Sequence, residues 1–335
     1  MKLKDKILLL FKREENAISG SALAKECGVS RNAIWLAIQE LRKDGYKIIS
    51  KKNVGYTLQT NFASITESEI RQNFENDSHL FSFILLDTVD STNTYMKQNA
   101  HMLQTWTVVL AEEQTAGRGR LHRTFSSPKY AGVYMSILLR PQIALQLLPR
   151  ITVCAAVAIC RGIEKLTTQK PQIKWVNDIF LAGKKVAGIL TESVMQVEHE
   201  ILDFVVVGIG INFHKKAIDE NLQHIVTALF DSEDFKSDLR AKFIAYFLEE
   251  FYLAMENLQA NTFFNAYKDR LFILGQIVQV SLASTSFLAK VKDINENYNL
   301  LVVLENGQEK LLTAGEVSIQ PSLCTCVANK FKVRY

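Results

Sequence analysis

Residues 114–120 end in two glycines that alternate with two arginines, and this combination of residue types suits the binding of an anion. Gly117 and Gly119 let the backbone fold closely over a ligand, because glycine has no side chain and tolerates strained turns. Arg118 and Arg120 supply forked N–H donors that match the oxygens of a carboxylate or a phosphate. The spacing predicts a loop that becomes ordered around an anionic ligand, with a solvated basic hairpin loop as the alternative.

A small polar cluster, Ser91, Thr92 and Asn93, follows the predicted strand 83–86 and opens a predicted helix. Hydroxyl and amide side chains at the start of a helix cap it by accepting hydrogen bonds from backbone N–H groups. The same groups can hydrogen-bond a polar ring such as a urea or an amide. Taken alone, these residues favour the capping role over the ligand-binding role.

Lys185, Asp178 and Gly188 belong to a predicted hairpin with mixed chemical character. A lysine that enters an apolar strand, as Lys185 does, is not deeply buried unless it meets an anion. Gly188 lets a ligand approach the strand closely, and Asp178 offers oxygen atoms to a magnesium ion. A hairpin with a surface pair of lysines explains the pattern equally well.

Several familiar catalytic patterns are missing from the sequence, which has neither a P-loop nor a G-x-S-x-G nucleophile motif. Gly208 and Gly210 form only a G-x-G, which is too weak to indicate a dinucleotide site. Cys324 and Cys326 lie near the C-terminus, and no His and Cys residues cluster at metal-ligand spacing. We therefore expect a reaction that uses no covalent enzyme nucleophile.

Residues 1–62 contain 12 Lys and Arg against 6 Asp and Glu, whereas the rest of the chain is nearly neutral. Their apolar spacing predicts three helices followed by a hairpin, which is the order of a winged helix-turn-helix, with Ser30 as the N-cap of the third helix. The residues predicted to face DNA are Ser30, Arg31, Asn32, Trp35, Gln39, Lys51 and Lys52. A three-helix packing domain with a solvated basic face is the alternative.

Residues 63–270 alternate predicted strands with predicted helices and form the largest unit. The predicted strands cover 83–86, 107–111, 133–139, 186–191 and 204–211, and the predicted helices cover 147–166 and 237–258. Several loops between neighbouring strands are too short for crossover helices. We therefore predict a mixed or antiparallel sheet with helices on one side.

Residues 271–320 contain short strand patterns separated by turn residues, which predicts a small β-barrel, and residues 321–335 form a tail. The chain has five widely scattered cysteines, no predicted membrane span and no secretory leader pattern. These features favour the reducing cytoplasm and argue against a membrane partner.

Five motifs together resemble those of the biotin–protein ligases and occur in the same order. They are Asp90-Ser91-Thr92-Asn93, residues 113–120, Lys174-Trp175-Val176-Asn177-Asp178, Lys185-Val186-Ala187-Gly188-Ile189-Leu190 and Gly208-Ile209-Gly210-Ile211-Asn212. With its winged helix, the chain is similar to the bifunctional ligases that also repress the biotin operon, over about residues 1–320. The resemblance implies an α+β multidomain fold with an N-terminal winged helix-turn-helix. It also implies a central mixed-sheet α/β ligase domain (class II synthetase-like) and a small SH3-like C-terminal β-barrel.

The resemblance implies a two-step reaction, in which biotin and ATP with Mg²⁺ first give biotinyl-5′-AMP and pyrophosphate. The biotinyl group then passes to a lysine of a biotin carboxyl carrier protein. The implied catalytic residues are Arg118, Lys185 and Arg120. The implied biotin contacts are Ser91, Thr92, Asn93, Gln114, Gly117, Arg118, Gly119, Arg120, Lys185 and Gly188. The implied adenylate contacts are Arg118, Arg120, Phe125, Lys185, Asn177 and Asn212, with Asp178 as the candidate Mg²⁺ ligand.

The resemblance also implies regulation, in which biotinyl-5′-AMP promotes a homodimer whose winged helices bind operator DNA. The sequence departs from the family pattern at Leu121, His122, Arg123 and Phe125, where many members have a further Arg-Gly-Arg and a Trp. Phe125 still offers a ring that can cover a purine or biotin. A lipoate–protein ligase and a ligand-sensing transcription factor without catalysis are the two alternative functions.

Overall fold

The chain forms three sheets in the computed structural model, which describes residues 3–13, 17–43, 46, 48–51, 54–58, 64–76, 78–196, 201–215, 218–231, 238–282 and 285–319. The helices are α1 Leu3–Arg13, α2 Gly20–Cys27, α3 Arg31–Lys43, α4 Glu67–Gln72, α5 Thr92–Asn99, α6 Leu148–Leu166, α7 Asp238–Glu256 and α8 Phe264–Lys268. The strands are β1 Ile48–Lys51, β2 Gly55–Leu58, β3 Ser82–Val89, β4 Thr107–Gln114, β5 Gly132–Leu139, β6 Gln172–Lys174, β7 Asp178–Leu181, β8 Lys184–Gln196, β9 Ile201–Asn212, β10 Ile277–Ser281, β11 Ser286–Ile294, β12 Leu300–Leu304, β13 Glu309–Leu312 and β14 Glu316–Ser318. Lys52 and the predicted tail 321–335 lie outside the described residues.

The N-terminal unit packs α1, α2 and α3 around a common apolar core and adds the antiparallel hairpin of β1 and β2. Side chains that are fully buried in this core are Ile7, Leu23, Ile34 and Ile38. Gly28 adopts φ 70°, a left-handed conformation that favours glycine, and turns the chain between α2 and α3. The Ser30 hydroxyl accepts a hydrogen bond from Ala33 N at 3.1 Å and caps α3. The predicted winged helix-turn-helix is confirmed.

The central sheet has seven strands in the order β3-β4-β5-β9-β8-β7-β6. β3 and β4 are parallel, and α5 lies in the connection between them. The remaining neighbours pair antiparallel. The predicted mixed sheet is confirmed, and its long central strands β8 and β9 bring distant motifs side by side.

Helices lie on both faces of this sheet. α6 and α7 pack on one face, where Val133 and Met135 of β5 belong to the main core. α5 packs on the opposite face, where Leu138 of β5 and Val206 of β9 surround Met96. Successive residues of β5 point to opposite faces of the sheet, so the strand contributes to the core on both faces. The expectation that the helices lie on one side is therefore wrong for α5.

One helix among the described residues, Leu145–Leu166, is long and apolar enough to cross a membrane by length and composition alone. Of its most apolar window, 61% is buried inside the molecule. The helix includes α6, which packs against α7 and belongs to the main core. Burial against the sheet therefore accounts for the apolar composition of this helix without a membrane.

A buried ion pair connects α7, the central sheet and the segment that leads in from the N-terminal unit. Arg240 Nη1 lies 2.6 Å from Glu112 Oε2 and also donates a hydrogen bond to the carbonyl oxygen of Gly132. The other carboxylate oxygen of Glu112 accepts a hydrogen bond from Ile65 N at 2.5 Å. Because desolvation offsets much of the attraction in a buried pair, its main effect is to fix the geometry of these three elements.

The C-terminal unit is a five-stranded antiparallel sheet in the order β13-β12-β11-β10-β14. Its apolar side faces the main core, and the buried side chains Val278, Val280, Val291 and Val302 lie there. Trp175 Nε1 of the central unit donates a hydrogen bond to Tyr298 O at 2.8 Å. This bond and the shared core hold the small sheet against the edge of the central unit where β6 and β7 lie, and the predicted small β unit is confirmed.

Candidate active site

A cavity of about 110 Å³ lies between the start of α5, the loop after β4 and strands β8 and β9. The predicted site residues that line it are Ser91, Thr92, Asn93, Gln114, Arg118, Gly119, Arg120, Phe125, Asn177, Asp178, Lys185 and Gly188. Gly117 lies in the loop without lining the cavity, and Asn212 lies elsewhere. The fold therefore gathers into one place nearly all of the residues that the sequence separates widely.

Glycines on β9 make the floor of this cavity and leave room for other side chains. A Cβ atom at Gly208 would lie 2.1 Å from Asn93 Oδ1, and one at Gly210 would lie 2.5 Å from the ring of Phe125. Both distances are shorter than a Cβ atom can approach another heavy atom, so a side chain at either position would displace Asn93 or Phe125. The G-x-G pattern therefore serves a packing purpose here.

Polar side chains form one end of the cavity. Gln114 Oε1 accepts a hydrogen bond from Thr92 N at 2.9 Å and lies 3.1 Å from Thr92 Oγ1. Ser136 Oγ donates to Asn93 Oδ1 at 2.6 Å, and the Ser91 hydroxyl caps α5. The capping and cavity-lining roles of this cluster are therefore both realised. The end wall is a buried, polar and rigid surface that suits a small ring with N–H and C=O groups.

The glycine–arginine loop folds as a hairpin that we call the flap, residues 115–127. Phe125 N donates to Gly117 O at 2.9 Å, and Gly119 N donates to Arg123 O at 2.7 Å. A Cβ atom on Gly117 would lie 2.3 Å from Phe125 O, so the two strands of the hairpin approach closely only because residue 117 is glycine. Leu121, at the tip, is exposed and has φ 53°.

The flap is attached to the C-terminal sheet and to the β6–β7 turn. Arg120 donates to Asn177 Oδ1 at 2.8 Å and to Gly315 O at 3.2 Å. Arg123 lies 2.5 Å from Glu316 Oε2. These contacts hold the flap over the cavity and make the C-terminal unit part of its enclosure.

Cations surround the cavity on several sides. Lys185 Nζ lies 2.7 Å from Asp178 Oδ1, and Arg118 lies 3.8 Å from Glu192 Oε1. Burial lowers the pKa of Lys174, and the positive charge of Lys185 lowers it further, although Asp178 opposes this. The field of these groups attracts a polyanion, which would exchange the present carboxylate partners for its own oxygens.

Glu192 is the acid behind the polar end of the cavity. Burial alone would raise the pKa of its carboxyl group. Hydrogen bonds from Lys97 and Asn93 and the nearby charge of Arg118 outweigh burial and hold the pKa of Glu192 below its usual range. The side chain is therefore a carboxylate at neutral pH.

The donor set around Asp178 does not suit a metal held by the protein alone. One oxygen of Asp178 is paired with Lys185, and Asn177 Nδ2 donates to the same oxygen at 3.2 Å. Among the described residues, no group of three or more His, Cys, Asp or Glu side chains could hold a metal ion. The role of Asp178 as an Mg²⁺ ligand stays a prediction, and we derive no step through it.

A second cavity, of about 490 Å³, adjoins the first beyond Phe125 and Lys185. Its wall is largely apolar and includes Tyr134, Ile218, Leu222, Ile225 and Val226, with Asn212 and His214 at its edge. Both cavities are lined by Arg123, Thr124, Phe125 and Lys185. The arrangement suits a flat aromatic ring in the second cavity that is joined through an anion to a ligand in the first.

Two family models match the chain: residues 85–212 match the Biotin/lipoate A/B protein ligase family, and residues 3–57 match an HTH domain. The chain is also 34% identical over 321 residues to the Bifunctional ligase/repressor BirA of Bacillus spizizenii, which covers 93% of this chain and 97% of that protein. The chain belongs to the BirA family of bifunctional ligase/repressors.

Other BirA-family comparisons agree with this assignment. BirA of Escherichia coli strain K12 is 29% identical over 61% of this chain and 62% of its own length. A solved structure of the biotin protein ligase of Aquifex aeolicus in complex with biotin and ATP is 28% identical, with a TM-score of 0.61 over 71% of this chain and 97% of that chain.

The HTH domain of this BirA-family chain presents its predicted DNA-facing residues to solvent. Arg31 and Asn32 are exposed at the start of α3, Trp35 is 49% exposed, and Gln39 is half-buried. Lys51 is exposed at the end of β1. The predicted surface therefore exists as one face of α3 beside the hairpin, and its DNA contacts stay a prediction.

Some side chains that bear on the BirA-family site were not anticipated from the sequence. They are Lys97, Ser127, Ser136, Lys174, Glu192 and Glu316. Ser136 was detectable in principle, because it is a small polar side chain inside the otherwise apolar run of β5. Glu192 and Glu316 stand alone in the sequence, and only the pairing of strands places them beside the cavity and the flap.

Proposed function

We propose that this BirA-family chain joins biotin to ATP, forms biotinyl-5′-AMP and transfers biotin to a lysine of a biotin carboxyl carrier protein. It also acts as a biotin-dependent repressor of transcription. The observation that carries the catalytic proposal is that Lys185 and Phe125 line both cavities, one with a polar end wall and one with an apolar wall. A urea ring and a purine can occupy these two cavities, with their anionic ends meeting at Lys185.

The first step brings a carboxylate against an α-phosphate, and these two groups repel each other. Arg118 and Lys185 supply positive charge at the junction, and Arg120 holds the adenylate while the flap is closed. Lys185 exchanges Asp178 for the incoming phosphate oxygens. Binding both reactants in adjoining cavities supplies the rest of the acceleration, because the carboxylate oxygen is held next to phosphorus. That oxygen attacks the α-phosphorus, the bond to the bridging oxygen breaks, and pyrophosphate leaves with the electron pair.

The ring of biotin lies against Ser91, Thr92, Asn93 and Gln114 in this proposal, over the backbone of Gly188. Thr92 N donates to Gln114, Asn93 is hydrogen-bonded to Ser136 and Glu192, and Ser91 caps α5, so these side chains lose little freedom when the ligand binds. The adenosine lies in the second cavity, in contact with Phe125 and Asn212, and Asn177 keeps Arg120 in place.

The second step needs no covalent bond between biotin and the enzyme. The carrier lysine, as a free amine, attacks the acyl carbon of the anhydride, the bond to phosphate breaks, and AMP leaves with the electron pair. The attacking nitrogen then loses a proton to solvent. The closed flap, with Gly117 and Gly119 at its narrow part, shields the anhydride from water until the carrier docks.

Regulation follows from the same ligand. We propose that biotinyl-5′-AMP favours a homodimer, in which two winged helices contact operator DNA through α3 and the hairpin. Phosphate contacts from Lys51 and Lys52 would position the protein, and Ser30, Arg31, Asn32, Trp35 and Gln39 would lie near the groove. We place this activity in the cytoplasm, where ATP and carrier proteins are present.

Intact mass spectrometry tests the ligase directly. The purified chain is incubated with biotin, Mg·ATP and an isolated carrier domain, and the expected result is a gain of one biotinyl group on one carrier lysine. Transfer of lipoate in preference to biotin would assign the chain to lipoate ligation. Binding of biotin without any ATP-dependent transfer would make it a non-catalytic sensor.

Replacement of Trp35 by alanine is expected to weaken operator binding about tenfold, because a half-exposed aromatic ring on α3 would lose its contact with the DNA. A mobility-shift titration with and without biotinyl-5′-AMP measures this effect. Ligase turnover is expected to be unchanged, since Trp35 lies outside both cavities. If the wild type and Trp35→Ala bind operator DNA equally well, α3 does not lie in the interface. If DNA binding is the same with and without biotinyl-5′-AMP, the proposed regulation is wrong.

Replacement of Arg123 by alanine is expected to shorten the lifetime of bound biotinyl-5′-AMP by about threefold. The Arg123 side chain is 68% exposed, so solvent weakens its pair with Glu316 and only a small effect follows. The lifetime is measured by rapid filtration of preformed radiolabelled complex. Glu316→Gln removes the same pair from the other side and should give the same result, and a difference between the two variants would mean that the pair does not act as a latch.

A further inference from the structure

A row of polar side chains lies behind the polar end of the first cavity, and its hydrogen bonds are all donated toward Glu192. Lys97 Nζ and Asn93 Nδ2 donate to the two carboxylate oxygens of Glu192, at 2.7 Å and 2.8 Å. Ser136 Oγ donates to Asn93 Oδ1 at 2.6 Å. Thr92 Oγ1 lies 2.8 Å from Ser136 Oγ. The row therefore connects a charged group outside the cavity with residues of the cavity wall.

The charge of Glu192 determines this direction. A carboxylate accepts hydrogen bonds and cannot donate, so the amide nitrogen of Asn93 must face it. The amide oxygen of Asn93 then faces Ser136, whose only hydroxyl proton is used on that oxygen. The second amide proton of Asn93 goes to Leu190 O at 3.2 Å. Asn93 is left with an oxygen lone pair, and no proton, to offer a ligand.

Thr92 completes the pattern at the cavity wall. Because the Ser136 proton is used on Asn93, the 2.8 Å contact between Ser136 Oγ and Thr92 Oγ1 is a hydrogen bond donated by Thr92, whose single proton is thereby used within the row. Gln114 Oε1, which lies 3.1 Å from Thr92 Oγ1, accepts from Thr92 N instead. Thr92 thus also presents an acceptor oxygen. With Glu192 ionised, this part of the wall consists of acceptors, which match the N–H groups of a cyclic urea.

The packing leaves the row little freedom to relax if the charge is removed. The side chains of Asn93 and Ser136 are 3% and 0% exposed, and the Asn93 amide lies directly over Gly208. Water cannot replace a lost partner there, so a reversed amide would put its NH₂ group against the Ser136 hydroxyl and its oxygen against Leu190 O.

We propose that Glu192 is a positioning residue for the biotin ring: it orients Asn93 and, through Ser136, Thr92, so that their oxygens accept the ureido N–H groups. The inference rests on the proposed function and adds a residue to it. Glu192 touches neither the ring nor the reacting atoms. It acts through Asn93 at one end of the cavity, whereas Arg118 and Lys185 act at the end where the carboxylate lies.

Glu192→Gln tests the proposal, because glutamine keeps the shape but has one acceptor oxygen where the carboxylate has two, and the Lys97 ammonium group competes with Asn93 for it. The KM for biotin in pyrophosphate release is expected to rise about 10- to 100-fold, with kcat within about threefold of the wild-type value. The inhibition constant of lipoate, an acid with a similar chain but a ring without N–H groups, is expected to change less than about threefold. Selectivity for biotin over lipoate should therefore fall.

The lipoate measurement separates the proposal from its competitors. A general loosening of the site, or an effect transmitted through Arg118 to the carboxylate, would weaken biotin and lipoate equally, and that result would overturn the proposal. So would an unchanged KM for biotin. Failure of the wild-type chain to release pyrophosphate with biotin would instead refute the proposed function, on which the inference depends.

Two further variants guard the test against loss of folding. Ser136→Ala removes the next link without touching the ion pairs of Glu192, and it should lower the biotin-to-lipoate selectivity in the same sense. If Glu192→Gln does not fold, Ser136→Ala decides alone, and unchanged selectivity in it overturns the proposal. Glu67→Gln, which breaks an exposed pair with Arg71 on α4, is the matched control and should leave both constants unchanged.

Discussion

Replacement of Lys185 by methionine is expected to slow the formation of biotinyl-5′-AMP by about 10²- to 10³-fold. Lys185 lies between the two cavities, at the point where the carboxylate of biotin meets the α-phosphate in the proposed complex. Methionine keeps most of the length and apolar volume of lysine but has no charge. The variant therefore removes a cation that acts on charge present in the transition state.

The folded state should tolerate the Lys185→Met change. Lys185 is about one-third exposed and pairs with Asp178, and water can solvate the remaining carboxylate, so the loss of this pair costs the protein little stability. The rate is measured by pyrophosphate release in a single turnover with saturating biotin and ATP. Lys165→Met, which breaks a half-exposed pair with Glu250 on the other face, is the control. Equal rates in both variants would refute the electrostatic role of Lys185.

The sequence alone left Lys185 undecided between a ligand contact and one member of a surface pair, and the sheet explains why. Lys184 and Lys185 are neighbours on β8, and successive residues of a strand point in opposite directions. Lys184 donates to Gln223 O, whereas Lys185 faces the cavities. The ligand contact of Lys185 stays a prediction, and only the pairing of β8 with β7 and β9 tells which of the two lysines faces the cavities.

Elements defined by local patterns were predictable from the sequence. The winged helix-turn-helix follows from apolar spacing, Gly28 and the Ser30 cap, and all of these act within a few residues. The position of α5 was not predictable in this way. Its few apolar residues fit either face of a sheet, and the parallel connection between β3 and β4 determines which face it covers.

Contacts between distant segments were the least predictable part of the site. Gly315 and Glu316 lie almost 200 residues after the flap arginines that they contact. Nothing in the local sequence of the C-terminal sheet distinguishes this turn from the others. The enclosure of the cavity by the small sheet is a property of the packed molecule, since Trp175 and the shared core fix the position of that sheet.

Replacement of Arg118 by glycine is expected to release biotinyl-5′-AMP about 10- to 100-fold faster and to spread biotin to exposed lysines of other proteins. Arg118 extends from the flap and lines the cavity, and its present partner is Glu192, which lies 3.8 Å away behind the polar end. In the proposed complex it binds the carboxyl and phosphate oxygens of the intermediate. Without it, the flap keeps its backbone hydrogen bonds and its attachment through Arg120, but the intermediate loses a charge-assisted contact.

The effect of Arg118→Gly should lie in retention of the intermediate, because the folded state hardly depends on this side chain. Arg118 is 42% exposed and its ion pair is long, so the thermal unfolding temperature should stay close to that of the wild type.

Filtration of preformed complex gives the dissociation rate, and mass spectrometry of serum albumin in the same tube gives the stray labelling. Arg123→Ala also loses an arginine from the flap, but Arg123 is 68% exposed and already paired with Glu316, so its loss should label albumin far less. If Arg118→Gly retains the adenylate as long as the wild type does, Arg118 does not hold it. If Arg118→Gly and Arg123→Ala label albumin equally, general opening of the flap releases the anhydride, and the lost Arg118 contact does not.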